Sequence, residues 1–188
     1  MSEIKYLSKK FEKIDLRKLK YQFVPEFTNM DIWNYDMSLP HSPQVECAKL
    51  LLKHGRDWSK LKDCRFAQDR RHRYKCGMTK WTEKAIKKHI LDSRYDILMS
   101  IKKRGFDEKL NKKQPIAILI SPFWTTRFNY MADWLMGPEI YHGGRRCAAM
   151  YALGYKKVSV LWVEDKYPGS NKGGKFETKV IKYLWSAL

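Results

Sequence analysis

The segment Glu139-Ile140-Tyr141-His142-Gly143-Gly144-Arg145-Arg146-Cys147-Ala148-Ala149-Met150-Tyr151-Ala152-Leu153-Gly154 has the residue types and spacing for anion chemistry. A strand-like tetrad runs into two glycines and then into a helical stretch whose first turn carries two arginines. Gly143 and Gly144 let the backbone turn sharply and approach a ligand, and the free amides at a helix N-terminus attract negative charge. Arginine adds paired donors that match phosphate oxygens. A phosphate cradle is one reading of this pattern; a tight turn with two solvated arginines fits it equally well. It is not a Walker loop, because the spaced glycines and the following Lys-Ser/Thr are missing.

The rest of the chain sets what must position this corner. With 188 residues it is sized for one domain or one domain with a small appendage, and 44% hydrophobic and 14% aromatic content is too apolar for a disordered chain. The 38 Lys+Arg against 20 Asp+Glu leave a net charge of +18, which points to a polyanionic partner. Residues 49–113 hold 21 Lys/Arg and 8 Asp/Glu, so +13 of that charge is local. The longest uncharged stretch, 114–126, is 13 residues and contains prolines, short of the roughly 20 apolar residues of a membrane span. No apolar leader is visible, so an intracellular, cytoplasmic protein with reduced thiols and no membrane partner is expected.

Residues 1–41 read as a basic, partly helical opening followed by an aromatic, turn-rich stretch, together an N-terminal arm. Ser42-Pro43 signals a helix start and Gly55 its end. Residues 69–75 read as an exposed loop. A long helix is expected over 80–104, with Ile86, Ile90, Ile97 and Ile101 on its apolar face, closed by Gly105. Residues 42–105 thus form a basic helical region. In the last part, 106–188, strands are expected at 115–120, 139–142 and 158–163, helices at 145–153 and 176–188, and a loop at 168–174. The order of elements gives an α+β domain with a small mixed sheet.

Several phrases in this order resemble the ParB/sulfiredoxin superfamily: Ile97-Leu98-Met99-Ser100-Ile101-Lys102-Lys103-Arg104-Gly105-Phe106, Gln114-Pro115-Ile116, the Glu139 to Arg146 turn with Leu153-Gly154, and Val158-Ser159-Val160. The likeness covers about residues 90–165. It implies a ParB/sulfiredoxin-like sheet with helices, preceded by the basic helical region, and binding of a nucleoside triphosphate, ATP or CTP, with Mg²⁺. Gly143, Gly144, Arg145 and Arg146 would hold the phosphates, and Gln114 and Pro115 would lie on the strand lining the pocket. The implied activity is triphosphate hydrolysis or kinase-type phosphoryl transfer. Gly144 stands where sulfiredoxins carry their catalytic cysteine, so sulfinic-acid reduction is excluded, because that chemistry needs a thiolate at the turn. Many relatives place an acid where this chain has His142; the resemblance implies that its role passes to His142 or Glu139 as the candidate general base, or is lost.

Two further features bear on partners. Arg65, Arg70, Arg71, Arg73 and Lys75 alternate with aromatics, Trp81 among them, a composition that grips phosphates and stacks unpaired bases, so nucleic acid is an expected partner. Residues 121–137 carry Phe123, Trp124, Phe128, Tyr130 and Trp134, which either stack bases or pack over the sheet. Cys64, His72 and Cys76 lack a close cysteine pair, and no protein-bound metal is expected. A non-catalytic DNA- or RNA-binding module on the same fold and a ParB-like nuclease are the alternatives, the nuclease last for want of an acid cluster.

Overall fold

The computed structural model describes residues 10–21, 38–75, 77, 80–119 and 138–163. The expectations for 121–137, 168–174 and 176–188, and for Cys76, lie outside them. The described chain is α+β, with helices packed on a five-stranded mixed sheet of order β1-β5-β3-β4-β2.

Strands β1 (Glu12–Asp15) and β2 (Lys20–Tyr21) flank a 3-10 turn at Leu16–Lys18. β1 pairs antiparallel with β5 (Lys157–Trp162), and β2 pairs parallel with β4 (Glu139–His142). β3 (Ala117–Leu119) sits between β5, to which it is parallel, and β4, to which it is antiparallel. Residues 12–21, within the expected partly helical N-terminal arm, therefore supply both edges of the sheet. Ile14, Leu16 and Leu19 fix this placement, all three buried in the main core. Trp162 Nε1 donates to Glu12 Oε2 at 2.9 Å, closing the β1 edge over the last residue of β5.

Helix α1 (Pro43–His54) begins as its sequence dictates: the Ser42 hydroxyl accepts from the Val45 amide, Pro43 takes the first position, and Gly55 at φ 61° ends it. It buries Val45, Ala48 and Leu51. After the single turn α2 (Trp58–Leu61) comes α3 (Arg65–Lys75), where a loop was expected. Polar composition misleads there. Phe66 and Ala67 are buried and anchor the segment, and Asp69 and Arg73 pair at 3.2 Å one turn apart.

The predicted long helix is present but interrupted. α4 (Glu83–Lys88), capped by Thr82, passes into a π-helical turn at His89–Arg94 and then into α5 (Tyr95–Arg104), which Gly105 closes. The wider turn moves the apolar face by one residue: Leu98 takes the core position beside Ile86, Ile90 and Ile101, and Ile97 is left half-buried. α6 (Glu108–Lys113), which the sequence reading passes over, follows an Asp107 cap. Its Asn111 is fully buried, donating to the Ser159 carbonyl at 2.9 Å and accepting from the Ile116 amide at 3.0 Å, so it ties α6 to β5 and to the start of β3. α7 (Gly144–Ala152) packs on α1 and α5. Among the described residues no helix is long and apolar enough to cross a membrane.

Candidate functional site

The corner between β4 and α7 is built by Gly143. At φ 92° it sits in the left-handed region, and a Cβ there would stand 2.8 Å from Ile116 Cγ1 and 3.2 Å from Ile116 Cα. Only glycine fits, because of its positive φ and the close approach of Ile116, just ahead of β3. Gly144 opens α7 without a side-chain cap, so the first amides of a nine-residue helix have no capping side chain. Arg145 and Arg146 follow on that first turn.

This corner forms one wall of a cavity of about 480 Å³. Gln114, Tyr141, His142, Gly143, Gly144, Arg145 and Arg146 line that side; Gln44, Arg70, Trp81, His89 and Arg94 line the helical side, over an apolar floor that includes Leu39, Ile97 and Ile140. Four arginines and no carboxylate are among the described lining residues. The cavity is in the size range of small-molecule sites.

Each arginine is held differently. Arg145 is exposed and donates through Nη1 to the Ser93 hydroxyl. Arg146 is half-buried, with Nη1 3.4 Å from Asn111 Oδ1, and burial lowers its pKa. Arg70 lies over the Phe66 and Trp81 rings, 5.1 Å from each centroid, with Asp69 at 3.8 Å and its Nε unpartnered; burial lowers its pKa as well. Arg94 is only 8% exposed, stacked 3.8 Å from the Phe66 centroid, with one long bond of 3.4 Å to Gln44 Oε1 and an Nε without a partner. Burial above all holds its pKa down to about 10, and Arg70 and Arg145 push the same way. His89 packs against Phe66 and edge-on to Trp81 at 4.5 Å; burial first, then Arg94, Arg145 and Arg70, press its pKa down to about 3. It is neutral at pH 7. The cavity is thus a concentration of like charge with donor groups left over, the electrostatic form of an anion receptor.

The expected site residues divide. Gln114, Gly143, Gly144, Arg145, Arg146 and His142 meet at the cavity. Gln114 caps α6 and is not on the strand, which begins at Ala117. Pro115 is not in the lining; its carbonyl accepts from His142 Nδ1 at 3.2 Å, leaving Nε2 as the ring's acceptor. Glu139 is buried at the far end of β4, outside the lining, and is not brought together with His142. Cys147 is fully buried and its thiol is pushed up to about 12, so it offers no thiolate at the corner.

The expected nucleic-acid set also divides. Arg65 pairs with Glu46 and the His41 carbonyl, Arg71 makes a two-pronged pair with Glu83, and Arg73 pairs with Asp69. Arg65 and Arg71 tie α3 to α1 and α4, and the Arg73 pair lies within the helix. Arg70 and Trp81 belong to the cavity instead, and Lys75 is exposed at the end of α3.

Sequence reasoning missed Arg94, His89, Gln44 and Asn111. One signal was present: Arg94 falls four residues after Ile90 and eight after Ile86, inside the apolar stripe, where a charge must be buried. The π turn that aims it at the cavity has no comparable mark in the sequence. Comparison of the chain with protein-family models, curated proteins and solved structures found no match.

Proposed function

We propose that the arginine-lined cavity binds the phosphate chain of a nucleoside triphosphate, and that the protein is a ParB-like nucleotide-binding enzyme that hydrolyses the triphosphate or transfers its phosphoryl group. The observation that carries this reading is the convergence of Arg70, Arg94, Arg145 and Arg146 on one cavity that has no carboxylate among its described lining residues. The α7 amides and the two arginines of its first turn would take the phosphate oxygens and neutralise charge that develops during transfer. His142, its Nδ1 fixed on the Pro115 carbonyl, presents Nε2 as the base. Mg²⁺ enters only as a counter-ion of the triphosphate, because the described lining offers no acid to ligate it and no group of three His, Cys, Asp or Glu that could hold a metal occurs among the described residues.

A thermal-shift panel of ATP, CTP, GTP and UTP with and without Mg²⁺, followed by a phosphate-release assay on any binder, tests this. A raised melting temperature that disappears in Arg145→Ala together with Arg146→Ala is expected. No shift with any nucleotide at millimolar concentration overturns it.

A second reading, a non-catalytic DNA- or RNA-binding module, is favoured by one observation. Lys80, Lys84, Lys87 and Lys88, in and just before α4, are exposed and form no salt bridge among the described residues, unlike the arginines of α3. Steeply salt-dependent binding of nucleic acid with no nucleotide effect distinguishes it.

A further inference from the structure

The helical wall of the cavity is over-provided with positive charge for any structural purpose. Its neighbours show what the fold does with a structural arginine: Arg56 pairs with Asp96, Arg65 with Glu46, Arg71 with Glu83 and Arg73 with Asp69. Arg94 has no carboxylate partner among the described residues, and Arg70 has only a long contact, its Nε 3.8 Å from Asp69 Oδ2, while Asp69 Oδ1 accepts from Arg73. Aromatic faces hold both instead. Phe66 lies under both guanidinium groups, and Trp81 under that of Arg70. Stacking restrains the planar group through its face and leaves the N–H edge for a planar or tetrahedral anion. The orphaned edge is visible: Nε of Arg94 is buried with no acceptor, and Nε of Arg70 is buried with none within hydrogen-bond distance, Asp69 Oδ2 standing off at 3.8 Å. A buried donor left unmade is costly, and an anion in the cavity would supply what is missing.

The two halves of the cavity come from different parts of the chain. Arg145, Arg146 and the α7 amides belong to the sheet side, and Arg70 and Arg94 to the helical side. The Arg145 side chain already reaches the π turn through Ser93, next to Arg94. One phosphate group at the glycine corner would leave the helical pair unanswered.

We propose that Arg70 and Arg94, seated on Phe66 and Trp81, form a second anion seat facing the glycine corner, so that the cavity takes a ligand with two or more linked anionic groups and clamps it between the helical and sheet sides. This deepens the nucleotide reading and rests on it. The substrate class it names is the polyphosphate chain itself, extended across the cavity, rather than a monophosphate held at α7 alone.

The test uses the full chain and three inorganic probes, orthophosphate, pyrophosphate and tripolyphosphate, titrated calorimetrically into wild type, Arg94→Met, Arg70→Gln and Arg146→Ala. Wild type is expected to bind tripolyphosphate at least about 100-fold more tightly than orthophosphate. Arg94→Met and Arg70→Gln each lower the tripolyphosphate affinity about tenfold or more and change the orthophosphate affinity less than about threefold, while Arg146→Ala weakens both probes. Arg70 is half-buried, so its variant carries the test if Arg94→Met does not fold. Tripolyphosphate binding that neither helical variant alters overturns the second seat and leaves the nucleotide reading standing. No binding of any probe overturns both.

Discussion

Replacing Arg94 by methionine should make the ligand-free protein more stable, a direction opposite to that of most core substitutions. Burial holds the guanidinium pKa down to about 10 against an ordinary value of 12.5, and that gap corresponds to about 3 kcal/mol of unfavourable charge burial. The stacking on Phe66 at 3.8 Å returns up to about 2 kcal/mol, part of which a methionine thioether on the same ring retains. The net gain is about 1–2 kcal/mol, or about 2–8 °C in melting temperature for a chain of this size. At neutral pH the side chain is charged in both folded and unfolded protein, so the penalty is present in full. Between pH 10 and 12.5 the unfolded chain holds the extra proton, and wild-type stability should rise there relative to the variant. Thermal unfolding by circular dichroism reads the first effect, and urea midpoints at pH 7 and 10.5 the second. An Arg94→Met protein that melts several degrees below wild type would refute the reasoning, because Arg94 would then be serving the fold and not a ligand.

Three other outcomes follow from the same geometry. His89, pressed down to about 3, is neutral in the folded state while its unfolded form takes a proton near 6.5; stability should therefore fall as pH drops from 6.5 toward 3, by up to about 1.4 kcal/mol per pH unit, and His89→Gln should remove that share of the slope in urea titrations. Gly143→Ala should cost about 2–4 kcal/mol, since it adds a clash with Ile116 to a strained backbone, whereas Gly154→Ala at φ 86° with open space around it should cost about 1–2; equal losses in melting temperature would contradict the packing argument. Asn111→Ala should cost about 2–4 kcal/mol, because the Ile116 amide and the Ser159 carbonyl both lose their partner, and a loss under about 1 kcal/mol in chemical denaturation would count against its bracing role.

Local chemistry was legible where it was decided locally. Ser42-Pro43, Gly55, Gly105 and the strand-glycine-helix phrase at 139–154 all fold as their residue types require, since caps and positive-φ glycines act within one turn. The failures have a common cause in tertiary context. Residues 69–75 are polar enough to read as a loop, but Phe66 and Ala67 bind α3 to the core, and Arg71 and Arg73 are held in ion pairs with Glu83 and Asp69. Of the arginines expected to contact nucleic acid, Arg65, Arg71 and Arg73 are held in ion pairs and Arg70 lines the cavity. Ile97 and Leu98 exchanged places because a π turn shifts the helical face, which no period of 3.6 can anticipate. The β1 and β2 edges were missed because strands of four and two residues carry little pattern of their own. Arg94 could have been found: a charge in an apolar stripe is the readable trace of a buried site.

The central claim is that the corner at Gly143 to Arg146 faces an anion across an arginine-lined cavity. Calorimetric titration of ATP and CTP into wild type and Arg146→Ala tests it most directly. At least one nucleotide should bind wild type with micromolar to sub-millimolar affinity and lose about tenfold or more in the variant, as expected for one charged donor removed from a phosphate. Equal affinity in the two proteins, or no heat from either nucleotide, would contradict it.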